Sequence, residues 1–302
     1  MEKKYKLTEE TVIVDDRTLH RIEALKDFSN VKKGDKGGFI ENENNLSQRD
    51  DCWVYGNAKV YDNAKVYDNA KVCDNAVVCG YASIYDNAEV FGKAMVYDNA
   101  KIRNHASVCG DARVYGSAEV YHYAEVYDDA KIYGNAVVCE NAVVCGYASI
   151  YDKAEVFSYA KVCDYAEVYE TARVYGNAKV RGNAMVYGDA VISDNAKVWM
   201  DAKVRGKAKI FDNVRIYDNA KVNGDAVVYG NAEVYNNAEV FGNAEVYGNA
   251  MIYGNAMVCN YAKVYGNAEV CGNGAVYGNA MVYDNAEIYG DREVHGNEKV
   301  SE

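Results

Sequence analysis

The sequence predicts an all-β fold, a parallel β-solenoid, on three observations. Every sixth residue from Val54 to Val300 is Val or Ile, at all 42 positions. Two places before each stands Ala, at 37 of the 41 positions from Ala58 to Glu298. No insertion or deletion breaks this register between Val54 and Val300. A period of six fits neither an α-helix nor a coiled coil, and β-branched residues at every core site favour strands.

The hexad explains itself residue by residue. Strand side chains alternate between two faces. In Ala58-Lys59-Val60-Tyr61, Ala and Val therefore point inward, and Lys and Tyr outward. Asp62-Asn63 then turns the chain, because Asp, Asn and Gly tolerate left-handed backbone or bond locally to it. The expected unit is a strand of about four residues and a two-residue corner. The corners are chemically alike, whereas an antiparallel meander has two distinguishable ends.

Val60-Tyr61-Asp62-Asn63-Ala64-Lys65 resembles the bacterial transferase hexapeptide motif, [LIV]-[GAED]-x-x-[STAV]-x. The resemblance implies three hexads per coil, and so a single-stranded left-handed parallel β-helix, a triangular solenoid of about 14 coils from the 42 hexads. One departure is constant: the second place, usually small in that family, holds Tyr or Cys at most hexads.

Residues 1–53 lie outside the repeat until Cys52, which takes an Ala place. Thr11 to Ile22 reads as a hairpin turning near Asp15-Asp16, and Lys32 to Gly38 as a loop. A solenoid's first coil needs covering, so residues 1–53 are expected to be a small N-terminal cap, and residues 54–302 the hexapeptide repeat. The alternative is a separate binding module. Tyr5-Lys6-Leu7, Leu19-His20-Arg21-Ile22, Ala24-Leu25-Lys26-Asp27-Phe28, Lys32-Lys33-Gly34-Asp35, Gly37-Gly38-Phe39-Ile40-Glu41, Asn45-Leu46-Ser47 and Cys52-Trp53-Val54 resemble the opening of YdcK-type proteins. Those are hexapeptide-repeat proteins of bacteria and phages, assigned as transferases on their fold, so a phage-encoded origin is one expectation. At the other end Arg292 and Glu298 replace inward Ala, which would blunt a sheet edge.

The formal charge of −12 argues against nucleic acid as a partner. Nine cysteines, with no CxxC pair or Cys/His cluster, give no metal site and point to a reducing cytoplasm. No apolar run is long enough for a membrane span.

The motif implies a CoA-dependent acyltransferase, in the first instance an acetyltransferase, in which a His acts as general base. His122 and His105 are the candidates; both stand at corners, and His122 occupies the third hexad place, where some such enzymes carry theirs. Acetyl-CoA or another acyl-CoA would be the cosubstrate. Against chemistry stand the absence of an extruded loop and the internal duplication. Val77–Asp86 recurs as Val143–Asp152, eleven hexads on, which moves the copy to another face of a three-sided coil. Tyr97, Tyr115, Tyr133, Tyr151, Tyr169 and Tyr187, three hexads apart in succession, would form a stripe able to dock sugars, bases or another solenoid. Tyr fills 22 of the 42 second places, so such a run also arises from composition alone.

The residues favour a non-catalytic scaffold or protein-interaction module with no cofactor. It would bind a protein partner or associate with itself, as dimer or trimer, through its outer ladders. The acyltransferase is the first alternative. An inhibitor or sponge for a host protein or nucleotide is the second.

Overall fold

A computed structural model describes residues 2–302. The chain divides into two compact units, Met1–Tyr147 and Ala148–Glu302. Among the described residues neither contains a helix.

Each unit is a parallel β-solenoid with three sheets. Its strands are residue pairs such as Lys59–Val60, shorter than the four residues expected. The corner claims the rest of the hexad: Ala64 N–H donates to Tyr61 O (3.3 Å), and Asp62 between them has φ 58°. That places positive φ at the second residue of a four-residue turn, the type II′ pattern. The third hexad place keeps this conformation whether it holds Gly56, Asp62, His122 or Met200. Hydrogen bonding continues round the corner, Asn63 N–H to Gly80 O (2.8 Å), so the short strands leave little backbone unpaired.

Each strand pairs with the one three hexads on: Lys59 with Val77 and Val60 with Val78 in the first unit, Ser149 with Glu167 and Ile150 with Val168 in the second. Three hexads therefore close one coil. Val120, Ala124 and Val126 are wholly buried, as are their counterparts in other coils. The core is thus a stack of methyl groups under continuous parallel ladders.

Stacking begins before the hexads do. Strand β1 (Tyr5–Val14) pairs antiparallel with β2 (Arg17–Ala24) round Asp15-Asp16, the hairpin the sequence indicates there. β2 pairs antiparallel with β3 (Lys36–Ile40), and β3 lies parallel on Lys59–Val60. Leu46 bridges in parallel to Val66, and Trp53–Val54 pairs with Lys71–Val72. From Leu46 to Val54 the chain is two residues longer than a hexad, which hides this coil from a six-residue count. Lys4 secures the extra residues. Its buried ammonium donates to the carbonyls of Arg49 (3.0 Å), Asp50 (3.1 Å) and Cys52 (2.8 Å).

The loop expected over Lys32 to Gly38 ends at Asp35, because β3 begins at Lys36. Glycine is what allows it: a Cβ on Gly38 would lie 2.5 Å from Ala58 O and 2.6 Å from a Val54 methyl carbon. Gly38→Ala is therefore expected to destabilise the chain by about 1–3 kcal/mol. In hydrogen exchange, the amides of Phe39 and Glu41, bonded to Ala58 O and Val60 O, should lose protection.

Candidate functional site

Parallel pairing sets each side chain above the one three hexads on, so the outer surface consists of ladders. Tyr97, Tyr115 and Tyr133 stack in the first unit, with centroids 4.8 and 4.9 Å apart. Tyr151, Tyr169 and Tyr187 stack in the second at 4.8 Å. The expected stripe thus appears as three rungs in each unit. Longer stacks stand elsewhere in the second unit: Phe211, Tyr229, Tyr247, Tyr265 and Tyr283, and Trp199, Tyr217, Tyr235 and Tyr253.

Sequence reasoning missed the asparagines. Asn195, Asn213, Asn231, Asn249, Asn267 and Asn285 form one ladder, each Nδ2 donating to the next Oδ1 at 2.9–3.2 Å. Asn219, Asn237, Asn255 and Asn273 form a second, ending on Asp291 (2.8 Å). The signal was available: Asn recurs at the fourth place of every third hexad from Asn195 to Asn285 and from Asn219 to Asn273.

One corner of the first unit departs from the pattern, and it carries both candidate histidines. His105 N–H donates to His122 O (2.8 Å), so the two residues sit side by side on adjacent coils. Both are exposed. The His105 ring stacks on Tyr123 (5.0 Å), and the His122 ring meets Tyr121 edge-on (4.8 Å). Arg103 lies over the other ring neighbour, 4.0 Å from the Tyr121 centroid, and bonds Glu119 (3.2 Å), which Lys101 also holds (3.0 Å). Burial opposes charge on Glu119, but the bonds from Lys101 and Arg103 outweigh it and keep its carboxyl below its ordinary range. Among the described residues no carboxylate or hydroxyl hydrogen-bonds either histidine ring of this corner. Beside His105 runs a groove of about 430 Å³ lined by Asn69, Asn87, Lys71 and Glu89, the last two paired at 2.9 Å.

His20 and His295 lie away from this corner: His20 bonds Thr8 O (3.2 Å) in the hairpin, and His295 stacks on Tyr277. Cys52 is buried in the first coil, and Cys73, Cys79, Cys109 and Cys271 are half-buried. Cys139 and Cys259 are buried although their hexad place faces outward. Among the described residues no group of three or more His, Cys, Asp or Glu side chains is placed to hold a metal. Among them, too, no helix is long and apolar enough to cross a membrane.

Coil length, corners and ladders define a β-solenoid repeat protein of the hexapeptide type. The family model of the YdcK β-solenoid repeat matches three stretches of it, residues 130–146, 214–230 and 244–260. No curated protein matches the chain. Among solved structures, that of a "putative acetyltransferase" from Desulfovibrio desulfuricans G20 aligns over 73% of this chain and 66% of that one, at 11% identity and a TM-score of 0.27. The chain thus spans just under two thirds of that protein, and a likeness this low says nothing of what the chain does.

The tyrosine ladders have a pH signature. Burial pushes the Tyr67 phenol up to about 12, helped by Tyr85 and by Asp68 and Asp86; burial and Cys139 do the same for Tyr121. An unfolded tyrosine titrates near ~10. The folded chain holds these protons more tightly, so their contribution to stability is whole below that value and is lost as pH rises through the folded pKa. The melting temperature is expected to fall across pH ~10–12. Tyrosinate absorbance should lag behind that of free tyrosine and rise with unfolding.

Proposed function

We propose that the chain is a non-catalytic β-solenoid scaffold that binds a protein partner, or further copies of itself, through its outer ladders. The observation that carries this reading is the rung-on-rung register within each unit, whose outer face carries stacked aromatic and asparagine ladders. A pocket needs an interruption, where convergent polar groups meet an apolar recess. The groove beside His105 is open and polar, and its histidine lacks the hydrogen-bonded third group that orients a general base.

A second reading, a CoA-dependent acyltransferase, draws on one observation: His105 and His122 share a corner beside that groove. One experiment separates the two. The full chain is incubated with acetyl-CoA and a panel of amine and hydroxyl acceptors, and thiol release is followed. The scaffold reading expects no release above the uncatalysed rate and no heat on calorimetric titration with acetyl-CoA at sub-millimolar concentration. Turnover that disappears in His105→Ala or His122→Ala would overturn it in favour of the enzyme.

A further inference from the structure

One face of the second unit carries a polarised row of charge. Its sheet runs from Lys161–Val162 to Glu287–Ile288 through parallel pairs. The outward residues at successive rungs are Lys161, Lys179, Lys197 and Arg215, then Glu233, Met251, Glu269 and Glu287. Four cations stand together at one end and three carboxylates at the other.

This arrangement is unfavourable within one molecule. Lys161 opposes Lys179, Lys179 opposes Lys197, and Lys197 opposes Arg215 on neighbouring strands, where like charges destabilise pairing. Only where the row changes sign does an ion pair form, Arg215 to Glu233 at 3.0 Å. Among the described residues Lys161, Lys179 and Lys197 have no carboxylate within ion-pair distance, and neither do Glu269 and Glu287 have a cation. Elsewhere in the chain, Lys71 with Glu89 and Lys221 with Glu239 show that cross-rung pairing is available to the fold.

Beside the charges, on the same face, runs the ladder Trp199, Tyr217, Tyr235 and Tyr253. It occupies the middle of the row. An aromatic centre with charged flanks is the composition of a protein–protein contact.

We propose that this face is a self-complementary contact between two copies of the chain, running antiparallel about a two-fold axis that crosses the row between Arg215 and Glu233. The proposal rests on the scaffold reading and names its partner. The two-fold makes the interface isologous. It sets Lys161 opposite Glu287 of the second copy, Lys179 opposite Glu269, Lys197 opposite Met251, and Arg215 opposite Glu233. Trp199 then faces Tyr253, and Tyr217 faces Tyr235. Both copies have the same rung spacing, so a match at the centre holds along the whole row. The overall charge of −12 opposes association, and the local pattern supplies the attraction that overcomes it.

Sedimentation velocity of the full chain at low ionic strength tests this. A dimer that dissociates as salt is raised is expected. Lys179→Glu and Glu269→Lys should each weaken it by at least about tenfold, since each places like charges across the contact twice. The double variant exchanges the charges across the two-fold and should restore the dimer. Both changes lie on exposed or half-exposed outward places, and unchanged circular dichroism confirms folding. A monomer at all accessible concentrations overturns the proposal, as does a dimer indifferent to the single variants or not restored by the double one. A monomer without acetyl-CoA turnover would sink this contact and leave the scaffold reading standing.

Discussion

The structure depends on one constraint: within each unit the hexad strands pair, in parallel and in register, with the strands three hexads on. Once that holds, like sits on like. Valine stacks on valine inside, and tyrosine on tyrosine outside at about 4.8 Å, close to the spacing of hydrogen-bonded strands. Side chains whose self-contacts are favourable become ladders. Aromatic rings stack in parallel, and asparagine donates to asparagine, as in cross-β assemblies. Charge is the case where stacking like on like is penalised. The chain answers in many columns by alternation, as in Lys101 with Glu119 and Lys263 with Glu245. Such exposed pairs are individually weak; their effect is to remove repulsion.

The same constraint shapes what the surface can do. A catalytic site needs several different side chains held at a point, and a strict repeat places the same side chain along a line. Chemistry would have to enter where the line is broken. The hexads break only in residue type, at corners such as Arg103-Asn104-His105 and Tyr121-His122-Tyr123, and the backbone there keeps its course. A line of like groups is suited instead to meeting another line, as the proposed scaffold would use it. That is why the ladders, rather than the histidines, carry the functional reading.

The parts of the fold that depend only on the hexad were legible from sequence. Ala64, Val66 and Tyr67 declare inside and outside by alternation, and Asp62 declares the corner by its tolerance of positive φ. The first coil was not legible, because it is built from other rules. Ile40 takes the place of Val60's predecessor and Leu46 that of Val66's, but Gly38 stands where an alanine is expected. Its missing methyl answers to the nearness of Ala58 O, a contact no local pattern announces. Lys4, far away in sequence, supplies the donors that the two added residues require.

The histidine corner shows a subtler limit. Side-chain columns repeat every third hexad, and reading the sequence in that step recovers the stacked tyrosines. Backbone bonds in a parallel ladder are slanted, so the N–H of one residue meets the carbonyl one place short of that step, as Lys59 meets Ala76 rather than Val77. His105 and His122 stand in the same relation, and are therefore neighbours by backbone while belonging to different side-chain columns. Their rings turn to other partners, His105 to Tyr123 and His122 to Tyr121. The ladder brings the two histidines together and in the same step commits each ring to a different partner. Nearness along the backbone of a solenoid thus does not by itself bring two rings together, because rings in different columns meet different partners.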